Sequence, residues 1–396
     1  MRSRHFNLNL FSVISIGIGS IVGAGIFALL GQVILSAGDL TYYSFLIAGI
    51  IAMLCGYSYA KLAAVYPQSG GLTDYFHHAF ASKIVSGGFS ILYWLTSSVS
   101  ICMLAKSFGL YMLNLFHPAY DPKLFADFFA VVLIVTQAFL NMAGADDVGK
   151  AEVVLVGIKI TILCVLVLSA FWAFDGVGQV HPVIVTEGSF FKSIGITFFA
   201  YAGFGVITNA AADVANPKKT ITRAIYLTLF IVMALYMSLA FVVMNFVPLS
   251  DLTAGADTAV ASAAEKLMGT WGYALLYLAA VIAFVSGIGA TFFSTFRISQ
   301  SLARQGILPR FYAIKFWRHG SWGNLLSVIL IILATILFDF NAIVNLSSGA
   351  FLISYLAIFI ANWVLRKETK PSAILTLGGF VLLSGVFVGF IYGLIS

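Results

Sequence analysis

Apolar segments of about 20 residues recur along the whole chain, separated by short polar breaks. A helix of that length crosses the roughly 30 Å of hydrocarbon in a bilayer. Hydrophobic residues fill 61% of the 396 positions and charged residues only 9%, whereas soluble domains carry roughly 25% charged residues. A soluble core does not hide so much apolar surface, so the sequence predicts an all-α polytopic membrane protein.

We predict eleven transmembrane helices within a single membrane domain, residues 1–396. The spans lie at about 11–35, 40–65, 84–115, 124–142, 151–176, 190–212, 222–247, 271–300, 324–338, 342–365 and 372–395. The first span is too long for a cleaved signal peptide and shows no cleavage site of small residues, so we expect it to stay in the protein.

Lysine and arginine predict the orientation, because cytoplasmic loops of membrane proteins carry an excess of both. With the N-terminus inside, the inner loops hold sixteen cations and the outer loops three. The three outer cations are Lys123, Lys192 and Lys266. This split predicts a cytoplasmic N-terminus and an extracytoplasmic C-terminus, and the short loops and short N-terminus favour a prokaryotic inner membrane. The net charge of +6 then reflects topology and does not indicate a nucleic-acid partner.

Enzymatic and metal chemistry have little support in the sequence. The three cysteines, Cys55, Cys102 and Cys164, fall inside spans, where they are typical packing residues. The six histidines lie at span ends or in loops without the spacing of metal ligands. We therefore predict no cofactor, no metal and no enzymatic activity. The sequence makes no prediction about the oligomeric state.

Two glycine-rich segments interrupt spans that lie half a chain apart. GIGSIVGAGIFALLG occupies residues 17–31 of the first span, and FFAYAGFGVITNAAADVANP occupies residues 198–217 of the sixth. Interrupted spans at corresponding places of two halves are typical of transporters that are built from inverted repeats. Close helix packing through Gly19 and Gly23, a GxxxG pair, is the other explanation, and the two roles are compatible.

Within lipid every backbone N–H and C=O group needs a hydrogen-bond partner, so a break in a helix is tolerated only where it lines a buried cavity. There the unwound backbone is free to bind a ligand. A half-helix N-terminus offers free N–H groups and a positive dipole end to a carboxylate. Unwound carbonyls accept hydrogen bonds from an ammonium group. The two breaks together thus suit a substrate that carries both groups on one carbon.

Four segments in this order and spacing resemble the signature segments of the amino acid/polyamine/organocation (APC) transporter superfamily. They are GIGSIVGAGIF, YPQSGGLTDYF at 66–76, FFAYAGFG with NPKKTITRAI at 198–225, and SLARQGILPRF at 301–311. The resemblance implies a five-plus-five inverted repeat with broken helices 1 and 6, working by alternating access. The repeats would cover about 11–176 and 190–365, with an extra helix at 372–395.

The resemblance also implies substrate-binding residues at both breaks. Amide groups of the first break would hold the substrate carboxylate, and carbonyls of the sixth span would take its amino group. The matching positions are Gly23, Ala24 and Gly25 in the first span and Phe199, Ala200, Ala202 and Gly203 in the sixth. We expect the room for the side chain to be set by residues 97–103, Phe199, Tyr201, Thr291, Ser347 and Ser348. Packing is the alternative role for Phe199 and Tyr201.

Many members of the superfamily carry glutamate two residues after the glycine of the sixth-span break. This chain has Gly205 there. A mechanism that depends on that carboxylate therefore does not carry over.

Lys159 lies within the fifth span, and an ionisable residue at membrane depth is costly, by roughly 2.5–3.5 kcal/mol on insertion scales. It resembles the fifth-span lysine whose amine, in proton-coupled members, replaces a bound sodium ion. Its implied partners are the carbonyls of Gly19 and Val22 and a hydroxyl from Ser286 or Ser294. We expect Lys159 to gain and lose a proton during transport; a permanently charged bridge between helices is the alternative. A second intramembrane lysine, Lys106, is expected to reach the outer surface, with a contact to the substrate as the alternative.

The pocket-forming spans carry no acid near the middle of the membrane, with Asp213 and Asp339 near span ends. A dicationic substrate normally meets a carboxylate or an aromatic box. The sequence thus favours proton-coupled symport of a neutral amino acid across the lipid bilayer. An exchanger or exporter, a cationic amino acid or polyamine transporter, and a non-transporting receptor are the alternatives.

Overall fold

The computed structural model describes residues 8–23, 25–67, 71–119, 121–144, 148–176, 178, 183–214 and 216–395. Within these ranges it describes all side chains except those of residues 148–152, 209, 212 and 213.

The described chain is almost entirely helical. The first half contains α1 Leu10–Ile21, α2 Gly25–Ala37, α3 Thr41–Val65, α4 Leu72–Ala79, α5 Lys83–Phe116, α6 Pro122–Ala143 and α7 Val148–Ala173. The second half contains α8 Glu187–Tyr201, α9 Val206–Asn209, α10 Pro217–Phe246, α11 Leu249–Ala254, α12 Ala259–Arg304, α13 Trp322–Leu337, α14 Phe340–Val364, α15 Arg366–Thr369 and α16 Ala373–Ile395. Two short antiparallel strands, β1 Lys315–Trp317 and β2 Gly320–Ser321, connect α12 to α13.

Polar residues at the helix starts explain where several spans begin. Asn9 accepts a hydrogen bond from the Ser12 amide at 2.8 Å and begins α1. Thr186 and Ser189 form a reciprocal capping box at the start of α8. Such side chains satisfy the N–H groups that have no partner within the helix. The starts of these two helices are therefore encoded locally.

The predicted all-α fold is confirmed. Among the described residues, nine helices are long and apolar enough to cross a membrane, and Leu10–Ile21 and Trp322–Leu337 are shorter apolar helices. One of the nine runs from Gly25 to Val65 and contains both the second half of span 1 and all of span 2. Each of the eleven predicted spans thus corresponds to helical structure in the described chain.

Many of the helices pack in two groups, which also contact each other where α12 meets α1, α2 and α10. The first contains the broken helices with α3 and α10: α10 packs on α1 and α3, and α8 packs on α2 and α3. The second contains α5, α6, α12 and α13, which pack on one another. Helix α7 contacts α1 of the first group and α12 of the second. A side chain on α7 can therefore connect the two groups.

Candidate functional site

Span 1 breaks between α1 and α2. Helix α1 ends at Ile21, and Val22 has φ −79° and ψ 10°, at the limit of helical geometry. Helix α2 begins at Gly25. Ala24, one of the predicted carboxylate-binding positions, lies outside the described residues. The amides in the first turn of α2 have no carbonyl to bind within their own helix, which is the feature that suits a carboxylate.

The glycines at this break also let neighbouring backbones come close. A Cβ atom at Gly23 would lie 2.9 Å from the Cα of Gly287 on α12. A Cβ at Gly25 would lie 2.7 Å from the Cα of Ala200 on α8. Real Cβ atoms do not approach backbone so closely, so both positions require glycine in this arrangement. The packing role and the predicted binding role thus fall on the same residues.

Span 6 breaks after Tyr201. Ala202 is extended, with φ −60° and ψ 148°, and Gly203 has φ +120°. The chain then turns into α9, where the Val206 and Ile207 amides bond to the carbonyls three residues back at 3.0 Å. A positive φ of this size is essentially restricted to glycine. Gly203 therefore makes the second break possible.

The two breaks border a cavity of about 70 Å³. Its lining comes from spans 1, 3, 6, 8 and 10: Ser20, Ile21, Gly25, Tyr93, Ser97, Ser100, Met103, Leu104, Phe199, Ala200, Ala202, Gly203, Val206, Gly287, Thr291, Ser294 and Phe351. Aromatic rings from spans 6 and 10 meet there, with the ring centroids of Phe199 and Phe351 5.2 Å apart. None of these lining residues is charged.

Most of the predicted substrate residues line this cavity, and a few lie elsewhere. Tyr201 donates its hydroxyl to the Phe45 carbonyl on α3 at 3.2 Å and is fully buried. Span 10 contributes Phe351 to the lining, while Ser347 and Ser348 are buried outside it. Sequence reasoning did not single out Tyr93, Ser20 or Phe351, because their orientation depends on how the helices pack.

The fifth-span lysine lies between the two helix groups. Lys159 is 0% exposed. Its amine donates to the Gly19 carbonyl on α1 at 3.1 Å and to the Ser286 hydroxyl on α12 at 3.2 Å. Of the two serines that the sequence left open, Ser286 bonds to Lys159, and Ser294 lines the cavity. Val22 is buried at the end of α1, directly before the break.

Contrary to the expectation from the sequence, the second intramembrane lysine does not reach the surface. Lys106 is 8% exposed and donates to the carbonyls of Thr335 and Phe338, at 2.7 and 2.5 Å. Its amine also lies 3.6 Å from the carboxylate of Asp127 on α6. The last turn of α13, which ends at Leu337, has carbonyls without amide donors in their own helix. The buried ammonium group of Lys106 donates hydrogen bonds to carbonyls at this helix end. Lys106 thus joins α5, α6 and α13 within the second helix group.

We expect Asp127→Asn to lower the free energy of unfolding by about 3 kcal/mol, because it leaves the buried Lys106 charge without its counterion. Thermal unfolding of the purified variant measures the loss. The matched control is Asp251→Asn, in which the broken ion pair with Lys266, at 2.9 Å, is 40% exposed on both side chains. An exposed pair contributes about 0–1 kcal/mol. Equal shifts in the two variants would contradict the buried pairing.

An arrangement of membrane-spanning helices in which two broken helices border an uncharged cavity is typical of a membrane transport protein. Comparison with known proteins agrees: the amino acid permease family matches residues 8–395. The chain belongs to this family, which confirms the resemblance to the APC superfamily, and its function is amino acid transport.

Two curated relatives cover nearly the whole chain. The inner membrane transport protein YbaT of Escherichia coli K12 is 39% identical over 389 residues, which are 98% of this chain and 90% of that protein. The serine/threonine exchanger SteT of Bacillus subtilis is 23% identical over 378 residues, covering 92% and 84% of the two chains. A third relative, the mitochondrial cationic amino acid transporter 3 of Arabidopsis thaliana, is 26% identical and matches 76% of this chain and 52% of its own length.

Proposed function

We propose that the protein is a proton-coupled symporter of neutral amino acids that works by alternating access, with Lys159 as the coupling residue. The observation that carries the proposal is the position of the Lys159 amine. It is fully buried and bonded both to Gly19 on a broken helix and to Ser286 on α12. These partners belong to the two helix groups, so a proton on Lys159 acts on the contact between them.

The strength of this contact depends on the proton. A charged ammonium donates hydrogen bonds that are roughly twice as strong as those of a neutral donor. Loss of the proton therefore weakens the bond to the Gly19 carbonyl and lets the broken helices separate from α12. The Lys159 proton reaches the site with substrate and leaves after the groups have moved. Val22 completes the carbonyl environment in this proposal.

The substrate is assigned to the cavity between the breaks. Its carboxylate bonds to the amides around Gly23, Ala24 and Gly25. Its ammonium group bonds to the carbonyls of Phe199, Ala200 and Ala202. The Phe199 carbonyl accepts the Ala202 amide at 2.9 Å and the Ala200 carbonyl accepts the Tyr236 hydroxyl at 3.1 Å, but a carbonyl oxygen has a second lone pair for the substrate. Thr291 and the span 3 serines contact the side chain. The lining carries no charge, which supports a neutral substrate because a cationic side chain would lack a counterion.

We also propose that the chain consists of repeats at about 11–176 and 190–365 with an added helix at 372–395. The broken spans, α1 with α2 and α8 with α9, are the first elements of these halves. The excess of cations in one set of loops supports a cytoplasmic N-terminus and an extracytoplasmic C-terminus. The similarity to an inner membrane transport protein supports insertion in the inner membrane.

The test is uptake of a panel of labelled neutral and cationic amino acids into liposomes that contain the pure protein. An inward proton gradient is imposed, sodium is absent and the membrane potential is held at zero. A gradient of one pH unit should accumulate the neutral substrate about tenfold, since one unit corresponds to about 1.4 kcal/mol per proton. Uptake only after loading of unlabelled substrate inside would instead indicate an exchanger. Selective accumulation of cationic amino acids would contradict the neutral assignment.

A further inference from the structure

A short hairpin, residues 315–321, joins two neighbouring helices of the second group at one face of the membrane. Its strands β1 and β2 lie between α12 and α13. The Trp322 amide at the start of α13 donates to the Ile314 carbonyl at 3.3 Å. The His319 amide donates to the Met142 carbonyl near the end of α6 at 3.1 Å. The hairpin is therefore fixed to α13 at one side and to α6 at the other.

Aromatic side chains of β1 contact both of these helices. The ring centroids of Phe316 and Trp322 are 4.9 Å apart, and those of Trp317 and Phe139 on α6 are 5.2 Å apart. Neighbouring residues of a strand point to opposite sides, so one ring meets each helix. Phe139, Phe316 and Trp322 are 56%, 42% and 52% exposed. Exposed tryptophan at the end of a membrane span is typical of the level of the lipid headgroups.

Exposed apolar residues continue from this hairpin along both helices. On α13 they include Leu325, Ile329 and Leu333, and on α6 they include Val132 and Val135. The two helices pack against each other. In a chain that spans a membrane, such surfaces contact acyl chains. The hairpin thus lies where the headgroup of a lipid would meet the protein if its chains lay along α6 and α13.

The hairpin and the turn before it carry positive charge. Arg310, Lys315 and Arg318 are exposed. The sequence has no acidic residue between Glu265 and Asp339. Within the part of the chain that the structure describes, none of these three cations forms an ion pair. Their charge is therefore complementary to an anionic headgroup.

Arg318 is oriented by contacts with the protein. Its Nη1 donates to the Ala143 carbonyl at the end of α6 at 3.4 Å, and its guanidinium carbon lies 5.9 Å from the centroid of the Trp317 ring. A guanidinium group has five N–H donors, so this one bond leaves donors for a phosphate oxygen. Asp146 and Asp147, which follow α6 in the sequence, lie outside the described residues.

We propose that the hairpin of residues 315–321 binds the headgroup of an anionic phospholipid, with Lys315 and Arg318 on its phosphate and its acyl chains along α6 and α13. The inference goes beyond the proposed transport function and depends on neither the substrate site nor Lys159. Because α6 and α13 belong to the second helix group, the bound lipid holds this group in the bilayer. A ligand that binds only the folded protein also stabilises it.

The experiment titrates the purified full-length protein, in a neutral detergent, with phosphatidylglycerol. Native mass spectrometry counts the bound lipid, and the rise in Tm reports the stabilisation. Phosphatidylcholine of the same chain length and inorganic phosphate should bind at least about tenfold more weakly, because one lacks net charge and the other lacks acyl chains. The double variant Lys315→Gln with Arg318→Gln should bind phosphatidylglycerol about 25-fold more weakly, since each cation near an anionic lipid contributes about fivefold.

A control double variant removes the same charge elsewhere. Lys218→Gln with Lys219→Gln changes two exposed residues at the start of α10, and its affinity for phosphatidylglycerol should stay within about twofold of that of the unchanged protein. Equal losses in the two double variants would overturn the proposal, because attraction would then be to surface charge in general. Equal binding of phosphatidylcholine or of inorganic phosphate would overturn it as well.

A single variant keeps the test decisive if the hairpin double variant does not fold. Lys315→Gln leaves the bond from Arg318 to Ala143 in place. It should fold with the Tm of the unchanged protein in detergent without lipid and bind phosphatidylglycerol about fivefold more weakly. Unchanged binding by this variant would contradict the lipid site.

Discussion

Liposomes that contain Lys159→Met should show no pH-driven accumulation of substrate, where the unchanged protein accumulates it about tenfold per pH unit. Methionine fills much of the same volume without the charge, and the Gly19 carbonyl and Ser286 hydroxyl lose the amine that bonds both of them. Counterflow against internal substrate should persist, because exchange needs no change in protonation. Radiolabelled uptake under the two regimes measures the difference.

A matched control lies one half turn further along α7. Thr161→Val changes an exposed residue whose hydroxyl bonds only within its own helix, to the Gly157 carbonyl at 2.8 Å. Its uptake should retain the pH dependence of the unchanged protein. Full pH-driven accumulation by Lys159→Met would make Lys159 a bridge between helices without a role in coupling.

The second large effect is expected at the sixth-span break. Gly203→Ala forces a side chain into φ +120° and places a Cβ 3.0 Å from the Ser20 hydroxyl. Backbone strain of this kind costs about 1–3 kcal/mol, which corresponds to roughly a 5- to 150-fold loss in the population of this conformation. We expect substrate binding, measured by the substrate-induced shift in Tm, to weaken by a factor in that range.

Gly378→Ala is the control for this change. Gly378 is an exposed residue of α16, and a Cβ there would meet nothing within 4 Å. Alanine within a helix is favoured over glycine by about 1 kcal/mol, so this variant should be as stable as the unchanged protein or more so. Normal binding by Gly203→Ala would show that the break tolerates a side chain and that its geometry does not set the site.

The span pattern was predictable because it depends on local properties. The length and hydropathy of a segment locate a helix that crosses a bilayer. Glycine clusters such as Gly23 with Gly25 indicate where such a helix is broken. The resemblance to the superfamily also implied which helices are in contact with one another. It thereby placed Lys159 beside Gly19, 140 residues away in sequence, and beside either Ser286 or Ser294; the structure selects Ser286, 127 residues away.

The contacts that the sequence did not predict are those that depend on packing between distant helices. Tyr236 is one of 17 tyrosines, and nothing near it in the sequence indicates that its hydroxyl meets the Ile21 and Ala200 carbonyls at the two breaks. Asp127 is the partner of Lys106 because α5 and α6 pack together, although each looks isolated in its own span. Span 10 presents Phe351 rather than its serines because helix rotation decides which face lines a cavity.

The most direct test of proton-coupled symport is the internal pH of protein-containing liposomes when substrate is added outside. The liposomes carry a trapped pH indicator, no internal substrate, no sodium and no imposed gradient, with the membrane potential held at zero. Entry of a neutral amino acid with a proton predicts acidification of the interior, absent in Lys159→Met. Entry of labelled substrate without any change in internal pH would contradict proton-coupled symport.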